Sequence, residues 1–131
     1  MKGLFAGLLA LIGTPLWAQD ATEGQHIYQT YCATCHGVDA MGGGPMASML
    51  ILTPPDLTEL ALRNNGVFPT TRVAMRIDGR EPLVSHGSPM PVYGDYFEGS
   101  DTPMKLETGQ PMMTSRAIAD LIAFLEAIQS E

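Results

Sequence analysis

The chain is 131 residues long and carries 14 Asp and Glu against 7 Lys and Arg, a formal net charge of −7. That length holds one domain, and the acidic balance excludes a protein that works by neutralising phosphates, so no nucleic-acid partner is expected. With 45% apolar and 16% charged residues the chain is neither disordered nor fibrous. Two cysteines cannot build a disulfide scaffold, and aromatics at 7% are sparse, so something besides side chains is expected to fill the middle.

Lys2 is followed by an apolar run from Gly3 to Ile12, a break at Gly13-Thr14-Pro15, and Leu16-Trp17-Ala18 ending in a small residue. This is the layout of a secretory signal over residues 1–18, with cleavage after Ala18. An uncleaved anchor is the alternative. The run falls short of the roughly 20 residues that span a bilayer, so no stable membrane insertion is expected of the mature domain, residues 19–131. Loss of Lys2 takes its net charge to −8.

Thr22 with Gln25 three positions on reads as a capping box, which starts a helix near Glu23. Gly24, Ile27, Tyr28 and Tyr31 recur at helical spacing along it, and the helix runs into Cys32. Gly42-Gly43-Gly44-Pro45 and Thr53-Pro54-Pro55-Asp56 bracket an irregular stretch. Short helices are expected over Leu57 to Asn64, stopped by Asn65-Gly66, and over Thr70 to Ile77, ending at Asp78-Gly79. Prolines and glycines crowd residues 81–110, which read as loop. Thr114 or Ser115 caps a terminal helix whose apolar arc is Ile118, Leu121, Ile122, Phe124, Leu125 and Ile128. The expected fold is therefore small and all-α. So long a loop is acceptable inside a compact domain only if it wraps a large rigid ligand.

Both cysteines fall in Cys32-Ala33-Thr34-Cys35-His36, a C-x-x-C-H sequence. This is the attachment signature of c-type haem. Two thiols three positions apart on a helical turn reach the two vinyl groups, and the adjacent imidazole of His36 meets the iron. Export fits, because covalent attachment is completed outside the bacterial cytoplasm. A thioredoxin-like redox pair requires a βαβ context that is missing here. A structural zinc site requires four ligands, and only His26 and His86 remain as nitrogen donors. A plain disulfide leaves both His36 and the thin core without a role.

With these residues the chain resembles the class I cytochromes c, and more narrowly the single-haem periplasmic cytochromes c of Gram-negative bacteria. The resemblance runs over nearly all of residues 19–131. It implies first and last helices that cross at a glycine–aromatic contact, for which Gly24, Tyr28 and Phe124 match. It implies long loops that wrap one covalent haem c. Pro55-Asp56-Leu57 matches the family's P-x-L segment, so the Pro55 carbonyl, or that of Pro54, would accept the Nδ1 proton of His36. Gly42 to Leu52 looks like additional loop before that proline.

Nine methionines are present, and the eight that lie after the motif are the candidates for distal ligand. Gly87-Ser88-Pro89-Met90-Pro91 is best suited, because its prolines stiffen the backbone and Gly87 allows a close approach. It also resembles the family's methionine loop. Met90 is the expected second axial ligand, with His86 the nearest rival. Met104, Met112 and Met113 read as core filling, and Met41, Met46, Met49 and Met75 as pocket lining or helix packing. His26 reads as a solvated residue of the first helix. Tyr93, Tyr96 and Arg76 are candidate donors to the haem propionates. With both axial positions filled, the site would carry single electrons and perform no catalysis of its own. The expected partners are a quinol-side donor and a periplasmic dehydrogenase or oxidase. Two alternatives remain open: a haem subunit held within such a complex, and a haem protein with an open site for a small ligand.

Overall fold

Asp20 starts the first helix. In the computed structural model, which describes residues 19–81 and 90–130, its side chain accepts from the amides of Thr22 (2.9 Å) and Glu23 (3.2 Å). Helix α1 therefore spans Ala21–Tyr31, two residues earlier than a cap at Thr22 implies. A carboxylate facing the orphan amides of a first turn satisfies two donors at once and suits the helix dipole. The Asp20 amide in turn donates to Oδ1 of the buried Asp120 (2.7 Å). Asp120 also receives Arg116 Nε at 3.0 Å, so the start of the domain is tied to its last helix.

That last helix, α4, spans Arg116–Ala127 and is capped by Ser115, whose hydroxyl accepts from the Ile118 amide. Ile118, Leu121, Ile122 and Leu125 of the expected arc are buried. Helices α1 and α4 meet where α1 has no side chain. A Cβ on Gly24 would stand 2.0 Å from the carbonyl oxygen of Asp120 and 2.9 Å from Cβ of Phe124. One turn on, the Tyr28 and Phe124 rings pack at 5.2 Å between centroids. Gly24→Ala is expected to cost about 3 kcal/mol by overpacking against backbone that cannot yield. Thermal unfolding of the holoprotein would report this as a Tm lower by on the order of 10 °C.

Between these helices, α2 spans Ala33–His36 and α3 spans Thr70–Asp78. Gly79, at φ 85°, closes α3 in the left-handed conformation that glycine adopts without penalty. The Thr70 hydroxyl donates to Glu126 of α4 (3.0 Å). The helix expected over Leu57 to Asn64 is reduced to a 3₁₀ turn at Leu62–Asn64, ended by Asn65 at φ 58°. Another 3₁₀ turn occupies Ala47–Met49.

The all-α expectation is corrected by one element, and the fold is mostly helical. Within and just beyond the proline-rich stretch, β1 (Thr102–Lys105) pairs antiparallel with β2 (Pro111–Thr114), with Met104 opposite Met112. Gly109, at φ 85°, turns the connection, and the Leu106 amide donates to the Gln110 carbonyl. Both strands of a two-stranded ribbon are edges, where a proline costs no ladder bond on its outward side. The ribbon turns Met104 and Thr114 inward and leaves Pro103, Lys105, Pro111 and Met113 exposed. The expected signal segment, residues 1–18, lies outside the described residues. Among those described, no helix is long and apolar enough to cross a membrane.

Candidate haem-attachment site

Helix α1 ends at Tyr31, and Cys32 turns the chain directly into α2. The hinge is held from below by Tyr28, whose buried hydroxyl donates to the Gly37 carbonyl at 2.6 Å. Cys32, Cys35 and His36 thus share one short helical turn. Neither cysteine is in a disulfide. Burial, with the Cys35 charge as a lesser cause, pushes the Cys32 thiol up to about 11.

A four-residue helix leaves all four of its carbonyls without internal partners. Here the following loop supplies every one. The Ala33 carbonyl accepts from the Gly37 amide, Thr34 from Met46, Cys35 from Gly44 and His36 from Gly42, at 2.7–3.1 Å. Gly44 lies so close to α2 that a Cβ would be 2.4 Å from the Thr34 oxygen. The glycine stretch is therefore a backbone cap on the motif. Its sequence signal is the run Gly42-Gly43-Gly44 shortly after the motif.

The same loop returns Pro55 to His36. The Leu57 amide donates to the Ala40 carbonyl at 2.8 Å, and the Pro55 carbonyl lies 3.4 Å from His36 Nδ1. A carbonyl only accepts, so this contact fixes the imidazole proton on Nδ1 and leaves the Nε2 lone pair free. Burial lowers the His36 pKa below its ordinary value, and the Pro55 contact offsets part of that. The ring is therefore neutral at neutral pH and able to ligate. The other proline considered, Pro54, turns its carbonyl toward Gly42 instead.

Four aromatic rings gather on the other flank of the motif. Tyr31 packs edge-on against Tyr93, Tyr96 and Phe97 at 5.1–6.2 Å. The Tyr93 hydroxyl donates to the Tyr31 carbonyl (3.1 Å), and the Tyr31 and Tyr96 hydroxyls share a 2.9 Å bond. Burial and the nearby Cys32 and Cys35 thiols raise Tyr93 above its ordinary value. Arg76 pairs with Glu81. All three candidate propionate donors thus have protein partners here.

Met90 is half-buried and packs against the same apolar cluster that Cys32 flanks. Its position is anchored just beyond it. The Tyr93 amide donates to the Ile77 carbonyl at 2.7 Å, and Gly94 is seated on the Asp78 carbonyl. His86 and Gly87-Ser88-Pro89 lie outside the described residues. Met104 is buried in β1, whereas the side chains of Met41, Met46 and Met49 are exposed. His26 is exposed on α1.

The residues present fit a haem. Two uncrosslinked thiols and a neutral imidazole with its Nε2 free lie on one turn, as covalent attachment with axial ligation requires. The competing arrangements fare worse. Among the described residues no three His, Cys, Asp or Glu side chains converge as a metal site, and the only sheet is the hairpin, so no βαβ unit frames the cysteines. No curated protein and no solved structure matches the chain. The family profile for cytochrome c, however, matches residues 21–129, from the first residue of α1 to the segment after α4. The chain belongs to the cytochrome c family, a c-type cytochrome that binds haem c and transfers electrons.

Proposed function

We propose that this cytochrome is a periplasmic carrier of single electrons on one haem c, attached through Cys32 and Cys35 and held axially by His36 and Met90. The observation that carries the reading is the 3.4 Å approach of the Pro55 carbonyl to His36 Nδ1, beside two free thiols on the same turn. A haem held by His36 and Met90 would supply a one-electron couple, and the methionine sulfur would raise its potential. The chain's part is to orient His36, to keep the ring neutral and to exclude water with apolar side chains. A visible spectrum of protein purified from a periplasm with haem-maturation machinery tests this. A Soret band that shifts reversibly with dithionite and ferricyanide, without oxygen uptake, is expected. A colourless protein would end the reading.

Export after cleavage at Ala18 and the first and last helices crossing around a loop-wrapped haem belong to the same proposal. Partners would be a quinol-side donor and a periplasmic dehydrogenase or oxidase. The charges support a basic or an apolar contact. Among the described residues Arg63, Arg76, Arg80 and Arg116 each pair with a carboxylate, which leaves Arg72 and Lys105 outside these pairs, too few to steer toward an acidic oxidase. Oxidation by a basic-surfaced partner is expected to slow with salt, as the Debye length shrinks from about 30 Å at 0.01 M to about 3 Å at 1 M. A rate that rises with salt would make the partner acidic, and a flat rate would leave the acidity a matter of solubility.

A second reading, a subunit retained in a dehydrogenase or oxidase complex, draws on the loop after the motif. No charged residue lies between Asp39 and Asp56, and Ile51 in that stretch is 99% exposed, with Met41, Met49 and Leu52 also facing solvent. Elution of the native cytochrome at the mass of a single chain would favour the free carrier.

A further inference from the structure

We infer that Gly42 and Gln129 are positioning residues that clamp the Pro54–Leu57 segment from two sides and so hold the Pro55 carbonyl on His36. The inference rests on the proposal that His36 ligates haem iron.

Gly42 does two things at once. Its amide donates to the carbonyl of His36 itself at 2.7 Å. Its α-carbon, at φ 88°, faces the Pro54 carbonyl so closely that a Cβ would stand 2.3 Å from that oxygen and 3.3 Å from the Pro55 carbonyl carbon. One residue therefore spaces the backbone of the ligand from the backbone of the group that orients its ring. A side chain at this position would drive Pro54 and Pro55 outward, and a contact already at 3.4 Å has little length to spare.

Gln129 grips the same segment from the far side. It lies just beyond α4, and its Nε2 donates to the carbonyls of Leu57 and Leu125, both at 2.7 Å. Its Oε1 accepts the Ala61 amide at 2.9 Å. The adjacent Ser130 amide donates to the Thr58 carbonyl at 2.7 Å. Between them, the Leu57 amide is fixed on Ala40 and the Leu57 carbonyl on Gln129. Both sides of the residue that follows Pro55-Asp56 are thus bound.

The consequence is electronic as well as mechanical. Donation from Nδ1–H to a carbonyl makes the imidazole a stronger ligand, and partners of a ligating histidine tune its metal for that reason. A stronger donor favours ferric over ferrous iron. Loosening either arm weakens that donation, so the midpoint potential moves upward.

The test compares holoprotein variants by two readouts, the midpoint potential and the exchange rate of the His36 Nδ1 proton in the ferrous protein by NMR. Gly42→Ala and Gln129→Ala are each expected to raise the potential and to speed exchange of that proton. Gly66→Ala imposes the same left-handed strain, at φ 81°, where a Cβ meets nothing within 4 Å. Thr70→Ala removes a distant hydrogen bond to α4. Both controls are expected to leave the two readouts as in the parent. If Gly42→Ala gives too little holoprotein, Gln129→Ala decides alone, because it adds no bulk. A Gln129→Ala protein with parental potential and proton exchange overturns the clamp, as do controls that shift both readouts equally. A parent protein that lacks a haem spectrum overturns the reading beneath the clamp, and the clamp with it.

Discussion

Replacing both Cys32 and Cys35 by serine is expected to abolish covalent haem and to lower the holoprotein yield by about tenfold or more, since ligand binding and folding are one free energy in a site built this way. The two thiols flank a single turn, Cys32 at its entry and Cys35 next to His36. Each would add across one vinyl group, its sulfur to carbon and its hydrogen to the neighbouring carbon, with no external oxidant. Single variants retain one link and are expected at intermediate yield. Acid-acetone extraction separates the cases: colour stays with the protein in the parent and leaves with the solvent in the double variant. Colour that partitions into solvent from the parent would remove the covalent assignment. The folding consequence follows from the core. Its largest fully buried apolar side chains, Tyr28, Met104, Ile118, Leu121 and Ile122, come from α1, α4 and β1, and none comes from residues 41–69. A domain of this size has little spare burial. The double variant is therefore expected to lose most of its near-ultraviolet circular dichroism, while α1 and α4 keep part of the far-ultraviolet helix signal.

The parts of the fold that were legible are those where a periodic pattern meets a stop signal. Helix α4 announced itself through an apolar arc behind Ser115, and α3 through Thr70 at its start and Gly79 at its end. The Gly24 contact was readable only through family likeness, because composition alone does not say which glycine receives a backbone. The cap of α1 was misplaced because Thr22 and Gln25 mimic a capping box. Asp20 wins through its second partner, Asp120, one hundred residues away. The hairpin was hidden by Pro103 and Pro111, residues that argue against a central strand and are neutral on an edge. Within the site, the motif is local and speaks for itself. Its support is not local. The carbonyls of α2 are closed by Gly37, Gly42, Gly44 and Met46, and Leu57 is held by Gln129, through backbone contacts that no residue pattern encodes. The additional loop between Gly42 and Leu52 is closed at its base, with the Ala40 carbonyl on the Leu57 amide. Its length therefore does not displace Pro55.

Met90→Ala is expected to abolish the weak near-infrared band that marks methionine sulfur on ferric haem, and to lower the midpoint potential, because the thioether favours the ferrous state. The backbone beyond Met90 is anchored. Three residues on, the Tyr93 amide is bound to the Ile77 carbonyl, and Gly94 is pressed on Asp78 at the end of α3. The backbone after Met90 is thus fixed to a capped helix, and Pro91 restricts it further. A thioether is a weak ligand and stays bound only where its chain has little freedom to lose by staying. Met104 and Met112 face each other across the hairpin, with Met104 almost wholly inside the apolar core. Their loss would cost packing without reaching the band. Survival of the band in Met90→Ala, with its loss in Met104→Ala or Met112→Ala, would move the ligand to the hairpin. Absence of the band in the parent would instead point to His86, and binding of carbon monoxide by the parent ferrous protein would open the site to a small ligand. In Met90→Ala that same carbon monoxide binding is the expected gain, because removing the sulfur would vacate the position proposed for it.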